Sequence, residues 1–96
     1  NDLLISPASY WEIAIKISLG KYALKEDFAE FWEREIAGNH WTILPISVRH
    51  SSVVATLPFH HRDPFDRLLI AQAMSEAIPI VSGDPAFDQY GVVRVW

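Results

Sequence analysis

Asp63-Pro64-Phe65-Asp66-Arg67-Leu68-Leu69-Ile70 opens the stretch that decides the fold; it runs on through Ala77 into Ile78-Pro79-Ile80-Val81-Ser82 and turns at Gly83-Asp84-Pro85. Aspartate before proline signals a helix start. The carboxylate accepts from backbone N–H groups that lack intrahelical partners, and proline at the first helical position gives up a donor that nothing there requires. The spacing therefore predicts a helix to about Ala77, a short buried strand over 78–82, and a second Asp-Pro start leading into a short helix near 86–89. A final strand is expected over 92–95.

The same alternation extends toward the N-terminus. Leu3-Leu4-Ile5 is a strand candidate, and Ser6-Pro7 repeats the cap-and-proline signal before a helix from about Pro7 to Leu19 that stops at Gly20. A second helix is predicted from about Asp27 to Ala37, with Phe28, Phe31, Trp32 and Ile36 on one face and Asp27 with Glu30 as a capping-box-like start. Thr42 to Ser47 reads as a strand whose Pro45 places it at a sheet edge, and a helix covers about Val48 to Leu57. Strands separated by helices argue for an α/β fold with a parallel sheet, whose sites lie beyond the carboxyl ends of the strands.

Composition narrows the chemistry. The 96 residues give room for one domain, and with no cysteine both disulfides and thiolate metal sites are excluded, which fits a cytoplasmic protein. No apolar run approaches the roughly 18 residues of a membrane span. The formal net charge of −4 speaks against holding nucleic acid by charge alone. If the chain acts on nucleic acid, its acids are expected to hold cations that bridge to phosphate. A start at Asn1 directly before an apolar run reads as a trimmed product.

Three places carry acids near expected loop ends. Ser9, Glu12 and Lys16 interrupt an otherwise apolar helix in one stripe. Either Glu12 and Lys16 form a solvated pair, or Glu12 faces a cleft with Lys16 one turn on, within reach of phosphate. Asp63 and Asp66 stand at the cap and third position of their helix, where both suit the positive end of its dipole. Asp66 sits on a helix crowded with Phe65, Leu69, Ile70 and Ala73, so a metal ion is a second candidate partner for it. Asp84 either caps the helix at Pro85 or joins the other acids. Clustered carboxylates suit Mg²⁺ or Mn²⁺. His60 and His61 are adjacent and lack the spacing of a zinc site. Arg62 and Arg67 flank the acidic segment as candidate phosphate contacts, solvated surface residues or ion-pair partners.

Together these segments resemble a known family. Ser6-Pro7-Ala8-Ser9-Tyr10-Trp11-Glu12 with Leu19-Gly20-Lys21, Leu57-Pro58 through His60-His61-Arg62-Asp63-Pro64-Phe65-Asp66-Arg67, and Ile80-Val81-Ser82-Gly83-Asp84-Pro85 resemble the conserved blocks of PIN-domain ribonucleases of the VapC toxin type. The resemblance implies a three-layer α/β/α PIN-like fold over residues 1–96 and a Mg²⁺- or Mn²⁺-dependent endoribonuclease. It also implies an RNA substrate, a cognate antitoxin and a homodimer. Glu12, Asp66 and Asp84 match the family's second, third and fourth acids, as catalytic and metal-binding residues. Ser82 matches a nearby hydroxyl residue, and Lys16 and Arg67 are expected as substrate contacts. The family's first acid ends an opening strand at the centre of the sheet, and nothing in this sequence takes its place. The expectation is an N-terminally truncated domain whose sheet lacks that strand. The rival expectation is a PIN-like binding module of weak or no catalysis, acting through antitoxin or self-association.

Overall fold

Ser6 turns the chain from strand to helix. Its hydroxyl accepts from the N–H of Ala8 at 3.1 Å, and Pro7 follows as the first residue of α1 (Pro7–Ser18). The computed structural model describes residues 3–60, 63–81 and 85–95, and their contacts group into two compact units, Asn1–Pro45 and Ile46–Trp96.

In the first unit, β1 (Leu4–Ile5) leads into α1, and α2 (Phe28–Gly38) leads into β2 (Thr42–Ile43). Gly20, at φ +74°, closes α1. In that left-handed turn its N–H donates to Ile17 and the N–H of Lys21 reaches back to Lys16, which satisfies two carbonyls the helix would leave open. Asp27 caps α2 through the Glu30 N–H at 3.0 Å. The predicted apolar face holds: Phe28, Phe31, Trp32 and Ile36 are all half-buried. Tyr10 of α1 lies 5.9 Å from the Trp32 ring, and Phe31 meets that ring edge-on at 5.4 Å, an arrangement aromatic pairs favour. β1 and β2 pair in parallel, Leu4 opposite Thr42. β2 is shorter than the predicted 42–47 strand: Thr42 and Leu44 donate to the Leu3 and Ile5 carbonyls, and the partner strand then gives way to α1 at Ser6 and Pro7.

In the second unit, α3 (Val48–Thr56) packs on α4 (Pro64–Glu76), followed by β3 (Ile80–Val81), a 3₁₀ turn (Pro85–Tyr90) and β4 (Arg94–Val95). Leu57, Ile70, Phe87 and Tyr90 form the buried core, with Val53, Ile80 and Val92 packed against it. The start of α3 is a capping box of uncommon composition. The Ser47 hydroxyl accepts from the His50 N–H at 3.2 Å, while the Ser47 N–H donates to His50 Nδ1 at 3.0 Å. A backbone N–H can only donate, so Nε2 carries the ring hydrogen and presents it to Glu76 at 2.9 Å. His50, only 2% exposed, thus ties the start of α3 to the end of α4.

β3 and β4 also pair in parallel, Ile80 opposite Arg94. The α/β class is as expected, and among the described residues the strands form two parallel pairs, one in each unit. In the expected sheet the opening strand stands at the centre, and none of the described residues forms such a strand.

Two substitutions test the local account. Ala77 ends α4 in the left-handed region at φ 54°, where an L-residue is strained by roughly 1–2 kcal/mol. Ala77→Gly is expected to raise stability by about 1 kcal/mol in urea unfolding. Ser47→Ala is expected to lower it by about 1 kcal/mol through loss of the cap.

Candidate active site

α1 places Glu12 and Lys16 one turn apart. Glu12 is half-buried with its side chain 22% exposed, and Lys16 Nζ stands 4.0 Å from Glu12 Oε2. That separation is too long for a hydrogen bond and makes at most a weak surface ion pair. Ser9, on the same stripe, is half-buried.

α4 places the second carboxylate. Asp63 is its N-cap, accepting from the N–H of Phe65 at 2.9 Å and of Asp66 at 3.4 Å. Capping is therefore Asp63's role, as its position predicted. Asp66 stands three residues further along and is half-buried, at the helix end where the dipole favours negative charge. Glu12 belongs to the first unit and Asp66 to the second. Asp84 and Ser82 lie outside the described residues. Among the described residues, no three histidine or carboxylate side chains gather in a metal-binding group.

Arg67 differs most from its sequence expectation. It is buried, 6% exposed, and its guanidinium donates to the carbonyls of Pro58 at 2.9 Å, Leu57 at 3.0 Å and Val54 at 3.3 Å. These are carbonyls at and just beyond the C-terminus of α3, where a cation suits both the open acceptors and the dipole. The sequence held a signal for this. Arg67 shares the i, i+3, i+4 stripe of Ile70 and Ala71, which is the buried face of α4. Two further features escaped sequence reasoning: the contact of buried His50 with Glu76 and the Tyr90 hydroxyl, which donates to the Pro58 carbonyl at 2.7 Å. A lone histidine in a polar helix start and a tyrosine in a short turn have no periodicity to mark them.

The PIN domain family model matches residues 1–93. The chain belongs to the PIN domain family. PIN domains are generally metal-dependent nucleases, which makes nucleic acid the general substrate class. No curated protein and no solved structure matches the chain. Among the described residues, no helix is long and apolar enough to cross a membrane.

The role of Arg67 can be tested directly. Lysine offers a compact ammonium in place of the planar fork and cannot serve the same three carbonyls. Arg67→Lys is expected to lose about 2–3 kcal/mol of stability in urea unfolding, in keeping with the worth of hydrogen bonds to charged groups and of buried donors left unpaired.

Proposed function

We propose that this chain is a PIN domain of the VapC toxin type, over residues 1–96, which hydrolyses RNA phosphodiester bonds as a metal-dependent endoribonuclease. The observation that carries the reading is the family match across nearly the whole chain. The half-buried positions of Glu12 and Asp66 on α1 and α4 support it. The donor set is carboxylate oxygen with no cysteine, which fits Mg²⁺ or Mn²⁺ and not a thiolate-bound ion.

In this reading Glu12, Asp66 and Asp84 are the catalytic and metal-holding residues. A bound ion would supply charge to the scissile phosphate and lower the pKa of the attacking water. The chain's own contribution is positional. Asp63 holds the first turn of α4 by capping it, so that Asp66 is presented from a fixed backbone. Lys16 is exposed beside Glu12 and placed to neutralise a substrate phosphate, and Ser82 is assigned a supporting contact near Asp84. Arg67 contributes by holding the chain before α4, since its guanidinium is committed to backbone carbonyls.

An antitoxin and a second copy of the chain are the partners of this proposal. Exposed Leu4, Trp11, Leu19 and Tyr22 in the first unit support it, because apolar side chains left on a surface often mark interfaces. The proposed site of action is the cytoplasm.

Glu12→Gln and Asp66→Asn each preserve size while removing a charge. Each is expected to lower Mg²⁺-dependent RNA cleavage on the order of 100-fold or more with an unchanged unfolding midpoint. Undiminished cleavage by both variants would sink the assignment. A chain that binds a partner but shows no metal-dependent cleavage in the wild type favours the binding-module reading.

A further inference from the structure

Phe59 stands in the open beside the acidic end of α4. The residue is 82% exposed, yet its ring is supported. The Arg67 guanidinium carbon lies 4.0 Å from the ring centroid, and that guanidinium is fixed by its bonds to Val54, Leu57 and Pro58. Both chain neighbours of Phe59 are also anchored. The Pro58 carbonyl accepts from Arg67 and from the Tyr90 hydroxyl, and the His60 ring meets the Tyr90 ring edge-on at 5.0 Å. A phenyl ring is thus presented to solvent from a rigid mount, the reverse of what burial of apolar area favours. Arg67 directly follows Asp66 in α4, so this ring belongs to the end of the unit that carries the proposed metal ligand.

We propose that Phe59 is a nucleobase-stacking platform, on which an unpaired base of an RNA strand lies while the neighbouring phosphate reaches the acidic site. The inference rests on the nuclease reading. With a net charge of −4, the chain gains little from general attraction to phosphate, and stacking is a contribution that needs no positive surface. Of the apolar residues just before the ring, Leu57 is buried, and polar His60 follows it. One exposed aromatic ring matches the face of one base, whereas the centre of a protein interface is a wider apolar patch. Cation–π support from below also holds the ring flat without covering its outer face.

The test measures binding, separately from cleavage. The full chain is titrated against a fluorescein-labelled oligoadenylate of ~12 nucleotides, with Ca²⁺ in place of Mg²⁺, and anisotropy is recorded at ~50 and ~200 mM salt. Phe59→Ala is expected to weaken binding by about 5- to 100-fold, by a similar factor at both salt concentrations, because a stacking contact releases no counterions. Phe59→Trp should bind within about 2-fold of wild type, and Phe59→Leu should weaken binding as alanine does, since leucine keeps bulk but has no π-face. The loss should vanish on duplex RNA, whose bases are already stacked.

Wild-type binding that is unchanged in Phe59→Ala overturns the platform and leaves the nuclease reading standing. Equal binding by Phe59→Leu and wild type reduces the contact to apolar packing and overturns stacking. A Phe59→Ala variant with altered sedimentation but unaltered RNA affinity assigns the ring to a protein contact instead, and overturns the proposal. A wild type that neither binds nor cuts RNA removes the nuclease reading and the platform with it.

Discussion

Carbonyls at the end of α3 need donors, and Arg67 supplies them. The guanidinium spans Val54, Leu57 and Pro58, bonds that each contribute roughly 1.5–3 kcal/mol because one partner is charged. Burying a cation is costly unless its surroundings compensate, and here the negative end of α3 and three carbonyl acceptors do so. The consequences spread from that point. The 57–60 turn is held against α4, the Tyr90 hydroxyl shares the Pro58 carbonyl and brings the 3₁₀ turn to the same place, and Phe59 is left outside with its ring across the guanidinium. The residue beside the proposed ligand Asp66 is thus a structural pin, and it sets where the chain enters α4.

The second tie works at the opposite ends of the same helices. His50 caps α3 through Ser47 and meets Glu76 in the last turn of α4. With Arg67 joining the end of α3 to the early part of α4, the antiparallel pair is held at both ends by buried polar groups, and Ile70 with Leu57 fills the apolar space in the same unit. Fully satisfied polar contacts of this kind fix one arrangement more sharply than apolar packing alone. A metal-binding carboxylate needs such a backbone, because its position tolerates little slack.

How much of this was legible depends on the range of the interaction. Ser6-Pro7 and Asp63-Pro64 marked two helix starts, since a cap is a contact between residues two or three apart, and Gly20 marked an end because few other residues enter a left-handed turn. The apolar face of α2 was legible from its period. The strands were less so. They contain two residues each, too few for a pattern, and their extent was decided by pairing. Glu12 and Asp66 could be nominated from their settings and from likeness to a family, but spacing alone favoured solvation for the first and capping for the second.

The sequence by itself determined where helices begin and end, the α/β class and the absence of any thiolate ligand, because each follows from local backbone chemistry or from composition. Tertiary structure decided the partners of Arg67, His50 and Tyr90, which are separated in sequence from the groups they bond by 9 to 32 residues. It also decided that the described strands stand as two parallel pairs and that Phe59 remains in solvent. The physical reason is the same in each case. A buried donor or acceptor must be paired, and which group pairs it depends on what the folded chain brings within hydrogen-bonding distance.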